Sequence, residues 1–594
     1  MSLSTLQQQA AACLTQRQYV EAVQLYQACI AAAPDDLSHY WQLGLAWLLQ
    51  GDVLEAQGVW LSVLEQGTAE QVEPWTTALL IVLTQTAEQC VQQGQVGAAE
   101  LLYRQILELE PADKPTHERL SYLLYQQGRL EEAIAHQQQA IALDSQDSNA
   151  YSNLALLCDA HGNSMAAIAA YQHALSLNPR SVTVHYNVGE LLGRQGDRAG
   201  AEACYRQAIA LDPACVPAYA NLAELLNRQG QTLAAIACCR QILALDPHSA
   251  QAHRQLGIAL SYQGDLAAAQ TCYEQALAIA PTDAETHFSL AELLLQQGQL
   301  RAGWAEFEWR RHFPELAPQN FSQPLWDGAA FAGRTLLIHA EYGFGDTLQF
   351  IRYAPLAAQP GGRVVVQCPP ALVRLLRSLP QIAQVISQSD RLPAFDLHVP
   401  LLSLPHIFGT TLDTIPNQVP YLTGFPHDGA SQRPLPPALS PSSLKVGIAW
   451  AGNPNYPADF SRSCTLADFL PLLHLSGITF YSLQKGDKRA ELRQLLDPHR
   501  VIDLDQRLQD FADTAAIMEQ LDLIITTDTA VAHLAGALNR PVWVLLAHAP
   551  DWRWLLHRCD SPWYPSMTLF RQSYAGDWAG VMAQVGAALS AIAS

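Results

Sequence analysis

A glycine returns every 34 residues, at Gly94, Gly128, Gly162, Gly196, Gly230, Gly264 and Gly298, and then the interval stops. An alanine follows the first six by five residues, at Ala99, Ala133, Ala167, Ala201, Ala235 and Ala269. Seventeen residues after each of the six stands Pro111, Ser145, Pro179, Pro213, Pro247 or Pro281. A fixed period of this length marks a helix–turn–helix array, whose units bury their apolar faces only against their neighbours. Such arrays grip partners and seldom do chemistry, so catalysis is expected after residue 311, where the texture of the sequence changes.

Each unit reads as two amphipathic helices. In PAYANLAELLNRQGQTLAAIACCRQILALD, residues 217–246, Tyr219, Leu222, Leu225 and Leu226 mark the inward face of the first helix. Gly230 permits the tight turn, Ala235 is small where the paired helices cross, and Pro247 opens the next helical region. The pattern resembles the tetratricopeptide repeat and spans residues 1–314. Gly44, Gly51 and Ala56 repeat the internal spacing in an earlier unit, and a degenerate unit ends at Pro34. The step from Gly51 to Gly94 is 43 residues, so an interruption is expected near 68–85.

Asn153, Asn187 and Asn221 also lie 34 apart, two positions before Ala155, Gly189 and Ala223 of the first helices. First helices line the groove of such arrays, where a ladder of amides can both donate to and accept from an extended peptide backbone. A similar ladder runs through the repeats of eukaryotic protein O-GlcNAc transferases. The plain alternative is a consensus asparagine bonding within its own repeat. Glu190, Glu224 and Glu292 lie on nearby faces and bias the groove toward neutral or basic segments.

At 594 residues the chain exceeds what one core holds, and its 49% hydrophobic content suffices for several. Only 15% of residues are charged, and the net charge is −21. That balance counts against nucleic acid or an anionic membrane surface as a general partner, since both select clustered Lys and Arg. The 12 cysteines, Cys158, Cys204, Cys238 and Cys272 among them, show no metal-ligand spacing and read as small buried hydrophobes in a reducing compartment. The opening MSLSTLQQQAAACL has no basic run, and no segment reaches the ~20 apolar residues of a membrane span. A cytoplasmic location is the expectation.

From residue 325 onward, strands alternate with helices. RTLLIHAE, RVVVQC, AQVISQ and FDLHVPLL read as strands of a first parallel sheet, residues 325–424. The stretch FPHDGASQRPLPPALSPSS, 425–443, reads as a linker. KVGIAWAG, ITFYSLQKG, VIDLD, LDLIITTD and PVWVLL then build a second Rossmann-like unit over 444–594. Two such units imply a ligand cleft at the carboxyl ends of their strands.

The sharpest constellation is LIITTDTAVAHLAGALNRPVWVLL, residues 523–546. A strand ends at Thr526, Thr527 and Asp528 and a helix begins at once, offering free N–H groups and a positive dipole end to a phosphate. Thr529 can add a hydroxyl donor, while Asp528 suits sugar hydroxyls or acts only as a helix cap. The segment resembles the Asp-Thr/Ser-Gly-x-x-His-x-x-x-Ala stretch of bacterial heptosyltransferases, here Asp528, Thr529, Ala530, His533 and Ala537, with Ala530 where the family commonly has glycine. The resemblance implies that Asp528 meets the donor sugar and that the following backbone holds the diphosphate. It also implies an acceptor-facing acid at Asp346, in Gly345-Asp346, as catalytic base, with helix capping as the alternative role. His339 and Glu341, at the same strand end, are rival bases. Lys485, in SLQKGD, matches a family lysine that neutralises the leaving diphosphate, unless it is a solvated loop residue. Asn453 and Arg462 flank the first strand of the second unit as further donor contacts. Asp503-Leu-Asp505 sits on a strand of the wrong architecture for a metal motif, so no metal is expected.

Together the order resembles bacterial tetratricopeptide-repeat glycosyltransferases: an α-solenoid followed by an α/β GT-B fold of two Rossmann-like domains. The resemblance implies a metal-independent inverting transferase needing no cofactor beyond its nucleotide-sugar co-substrate. The acceptor hydroxyl would be carried on a protein or peptide in the solenoid groove. A glycan or lipid-linked acceptor, or a non-catalytic scaffold, stays open, as does the oligomeric state. A nicotinamide dehydrogenase is disfavoured because neither unit has an intact G-x-G-x-x-G.

Overall fold

The computed structural model describes residues 1–313, 321–359, 361–423, 434–438, 443–454, 456, 459–495, 497 and 500–593. Most of the expected linker, 425–443, and the expected repeat boundary at 314 lie outside the described residues.

Eighteen helices run from Leu3 to Phe307 in tetratricopeptide pairs. All eight turn glycines, from Gly51 through Gly298, take positive φ of 70° to 105°, which is why the glycine carries the period. The chain divides into two compact units, Met1–Asn221 and Leu222–Ser594.

In the first unit the opening helices, Leu3–Thr15 and Tyr19–Ala32, form a complete pair despite their degenerate sequence. The 43-residue step is absorbed by one long helix, Ala69–Gln92, of 24 residues where its counterparts have 13 or 14. The expected interruption is therefore an elongated helix rather than a loop. First helices start on side-chain caps: Asp113, Asp147 and Ser181 each accept from an N–H two or three residues on. A second clasp escaped the sequence reading. Six residues after the repeat proline, His117 and His185 hydrogen-bond the carbonyls of Pro111 and Pro179 at 3.1 and 3.0 Å.

The second unit joins the last repeats to two parallel sheets. In the first, β1 (Thr335–His339), β2 (Arg363–Cys368), β3 (Gln384–Ser387) and β4 (Leu397–Pro400) take the order β3-β2-β1-β4. In the second, β5 (Leu444–Ala449), β6 (Ile478–Ser482), β7 (Val501–Asp503), β8 (Leu523–Thr527), β9 (Val542–Leu546) and β10 (Met567–Arg571) take the order β10-β9-β8-β5-β6-β7. Both sheets are parallel throughout and carry helices on their connections, the arrangement of an α/β GT-B fold.

An aromatic knot joins the last repeat to both lobes. Trp304, on the helix Leu300–Phe307, meets Phe350 of the first lobe edge-on at 5.6 Å and Trp552 of the second at 5.2 Å, while Phe350 meets Trp563 at 5.8 Å. Nearby, the buried Arg352 donates to the Pro416 carbonyl at 3.1 Å, the Trp563 carbonyl at 2.8 Å and the Tyr421 hydroxyl at 3.1 Å. Among the described residues, no helix is long and apolar enough to cross a membrane.

Candidate active site

In each sheet the strand order reverses beside the first strand, between β1 and β4 and between β5 and β8. Crossovers leave such a point in opposite directions and open a crevice at the strands' carboxyl ends. Two helices begin there, Phe344–Phe350 after β1 and Ala530–Ala537 after β8, and they pack on each other. Gly345 makes this approach possible. A Cβ at that position would lie 3.0 Å from Cδ2 of His533.

Arg553 lies at the centre of the crevice, on the loop after β9. Its Nη1 donates to both oxygens of Asp551 at 2.9 Å, its Nε to Oε1 of Gln349 at 2.7 Å and its Nη2 to Asp346. The guanidinium rests over the Trp552 ring, 4.3 Å from its centroid. Burial opposes this charge, but Asp551, Asp346 and Asp528 outweigh it and hold the guanidinium protonated. One cation thereby links the two lobes and gathers three carboxylates.

Asp528 is buried at the end of β8. Burial, followed by the neighbouring Asp551 charge, raises its carboxyl to about 6, against the opposing pull of Trp554, Arg462 and Arg553. The buried Trp554 indole N–H is directed at Asp528 and favours its charged form. His533 sits beneath, its Nδ1 3.0 Å from the Tyr564 hydroxyl and its ring stacked on Trp554 at 5.3 Å. Burial and then Arg553 and Arg352 hold this imidazole neutral. Thr529, in extended conformation, makes no side-chain cap on the helix that Ala530 begins; its hydroxyl lies 3.0 Å from that of Thr526. Among the described residues the buried Thr527 hydroxyl has no partner.

The other expected donor contacts divide. Arg462 lies over Tyr456 at 4.4 Å and bonds Asp459 at 3.1 Å, with its charge reaching Asp528. Asn453 is exposed on the loop after β5. Lys485 is drawn to the β6–β7 side, where its Nζ donates to Asp505 Oδ1 at 2.6 Å and to the Leu508 carbonyl at 3.0 Å. The cations that act on Asp528 are Arg462 and Arg553. Asp503 and Asp505 are engaged by Arg489, and Asp505 also by Lys485.

The three candidate bases are all committed. Asp346 accepts the Gly343 N–H on Oδ2 at 2.9 Å and Arg553 on Oδ1, so it caps its helix and anchors Arg553. Glu341 accepts from the buried Arg310 at 2.8 Å and from the Leu402 N–H at 3.4 Å. His339 is buried beside His398, 3.3 Å between ring nitrogens, and burial holds it neutral with its pKa lowered to about 3. The sequence reading missed Arg553, whose signal was an arginine between two tryptophans just after a strand.

The asparagines of the first unit differ from one another. Asn187 lies against the Tyr171 hydroxyl, and Asn221 reaches Tyr205 at 3.5 Å, Tyr186 at 3.4 Å and Glu190 at 3.5 Å. Asn153 is exposed, because the residue sixteen before it is Gln137, which turns to the Ala150 carbonyl. The amides are a ladder in position, with two rungs leaning on their own tyrosines. In the second unit, a groove of about 550 Å³ runs along the last first-helices, between Gln251, Arg254, Tyr262, Glu285, Phe288 and Phe313.

Comparison with known proteins agrees with this architecture. Tetratricopeptide repeat profiles match residues 9–64, 122–162, 160–196, 182–215, 216–282 and 272–305. The profile of Glycosyltransferase family 9 (heptosyltransferase) matches residues 475–575, a span that holds Lys485, Asp528, His533 and Arg553. The chain is a run of tetratricopeptide repeats followed by a heptosyltransferase-like region, which supports glycosyltransferase activity in general. Among curated proteins it is similar to Protein FlbA of Caulobacter vibrioides, 28% identical over 323 residues. That match covers 48% of this chain, and the chain spans about half the length of the relative, 52%. Solved structures resemble it in part. YrrB, a TPR protein with an unusual peptide-binding site, is 20% identical over 31% of this chain and 95% of its own, with a TM-score of 0.28. A tetratricopeptide repeat protein from Parabacteroides merdae is 18% identical over 40% of this chain and 93% of its own, with a TM-score of 0.34.

Proposed function

We propose that this protein transfers a sugar, with inversion, from a nucleotide-sugar donor to a hydroxyl on a protein held by its repeats. The observation that carries the reading is the meeting of Asp528, Arg553 and Asp346 at the switch points of two facing sheets, within or beside the family 9 match. Asp528 accepts from donor sugar hydroxyls. The N–H groups at the start of the Ala530 helix and the Arg462 guanidinium face the diphosphate, which gathers charge as the glycosidic bond to phosphate breaks. Thr529 adds its hydroxyl, His533 shapes the floor, Asn453 borders the opening, and Lys485 marks the outer edge from its tether on Asp505. Asp346 acts through Arg553, fixing it across the cleft. These groups stabilise a leaving diphosphate without a metal ion, and the protein's own residues suffice without a further cofactor. Cytoplasmic nucleotide sugars are the fitting donors for such a chain.

The acceptor is a peptide segment laid along the repeat groove, its backbone read by Asn153, Asn187 and Asn221. Replacing all three with alanine is expected to lower transfer to peptide by roughly 10- to 1000-fold, at about 0.5–1.5 kcal/mol for each lost hydrogen bond, and to spare donor hydrolysis. Parallel assays of peptide labelling and donor hydrolysis check this. Equal loss of both activities, or loss of neither, contradicts the groove assignment.

A further inference from the structure

Glu292 belongs to the helix Ala284–Gln296 of the last repeat. Glu285, Phe288, Glu292 and Gln296 share one face of that helix by their spacing of three and four residues. Glu285 and Phe288 line the groove of the second unit. At the other end of the same face, Gln296 donates to the Pro550 carbonyl at 3.1 Å, beside Asp551. Glu292 stands between them, where the groove face runs into the loop that carries Arg553.

Its side chain is exposed, and among the described residues it makes no hydrogen bond or ion pair. Surrounding protein nevertheless desolvates it, and together with the Asp551 charge raises the carboxyl to about 8 against the pull of Arg553. The helix that carries it packs on the Trp552–Trp554 turn, which holds Arg553. The groups around it come from every neighbouring element. They are Tyr262 and Tyr273 of the preceding repeat, Tyr342 after β1, Tyr456 after β5, and Asp551 and Arg553 after β9. Tyr342 and Tyr456, one from each lobe, are themselves 42% and 44% exposed and lie within electrostatic reach of the carboxylate. Asp346, Glu341 and His339 are committed elsewhere, whereas Glu292 is, among the described residues, an unpartnered carboxylate where groove and cleft meet.

We propose that Glu292 takes the proton from the acceptor hydroxyl, making the last tetratricopeptide repeat part of the active site. The inference rests on the glycosyltransferase reading. As the acceptor oxygen bonds to the anomeric carbon, the bond from that carbon to the donor's phosphate oxygen breaks. Its electron pair leaves with the nucleoside diphosphate, and the hydroxyl proton passes to the Glu292 carboxylate and then to water. In the absence of acceptor, water takes the hydroxyl's place and the donor is hydrolysed.

The test uses the full chain, its Glu292→Gln and Glu292→Asp variants, and a panel of uridine, guanosine, cytidine and adenosine nucleotide sugars. Binding is measured by calorimetry, and hydrolysis is followed from pH 5.5 to 9.5. The wild-type rate is expected to rise as pH passes about 8, where Glu292 ionises. Glu292→Gln is expected to lose this rise and on the order of 100-fold in kcat, with donor affinity unchanged. Glu292→Asp, which restores a carboxylate and guards against a misfolded Gln variant, should recover the rise at a lower rate. A rise that persists in Glu292→Gln, or donor binding lost together with turnover, overturns the assignment. A wild-type chain that neither binds nor hydrolyses any of the panel instead removes the glycosyltransferase reading, and the proposal with it.

Discussion

Arg553→Met is expected to destabilise the catalytic region by about 3–5 kcal/mol, the range seen when one partner of a buried charge pair is removed. In thermal unfolding this corresponds to a drop on the order of 10 °C. Methionine approximates the length of arginine and keeps contact with the Trp552 face. It cannot donate to Gln349, Asp551 or Asp346, the partners that tie the second lobe to the first. Asp528, Asp551 and Asp346 are then left with one cation fewer, so the deficit should shrink as pH falls through about 6 and Asp528 takes up a proton. Equal losses at pH 4 and pH 7 would show that packing, rather than charge, holds Arg553 in place. Transfer should be lost as well, because the cleft loses the group that fixes its two walls.

Asp528→Asn is expected to leave the fold intact and reduce transfer by 100-fold or more, by weakening charge-assisted hydrogen bonds to the donor sugar. The pH dependence separates this from a simple packing defect. Asp528 ionises near 6 in the folded chain, above its ordinary carboxyl value, because burial and Asp551 penalise the charge. Donor affinity in the wild type should therefore weaken as pH falls through about 6, while the Asn variant binds weakly and evenly across that range. Stability runs the opposite way. A carboxyl with a raised folded pKa makes the folded state less stable as pH climbs from the unfolded value through 6, so the Asn variant should gain stability relative to wild type above pH 6. Calorimetry with a bound nucleotide sugar and thermal unfolding at pH 5 and 7.5 read the two effects independently.

The repeats were legible because each 34-residue unit repeats its own local rules, down to the positive-φ glycine at the turn, which only the first pair replaces, with Arg17. Nine strands were legible from short apolar runs. The tenth, Met567–Arg571, alternates too weakly to stand out in sequence. KRAELRQLL has the composition of a helix, yet Asp487–Gln494 winds as a tighter 3₁₀ segment whose Arg489 turns to Asp503. Asp528 and Thr529 were readable because strand end and helix start adjoin in the chain. Arg553 was not, since its partners Asp346 and Gln349 lie 207 and 204 residues away. Lys485 was read from its place at a strand end, but a strand end does not say which neighbour its amine will find. Here Asp505, at the next strand's exit, lies within 2.6 Å. Glu292 was noticed only as a charge on a repeat face. Its position at the cleft depends on the docking of Gln296 on Pro550, a contact between residues 254 apart.

The central claim is sugar transfer from a nucleotide donor to a protein hydroxyl. It is tested most directly by mass spectrometry of the full chain incubated with the nucleotide-sugar panel and a degenerate serine/threonine peptide library. The predicted result is consumption of one donor, release of its nucleoside phosphate, and peptides heavier by the mass of its sugar residue. Intact donors with no peptide gaining mass would contradict it.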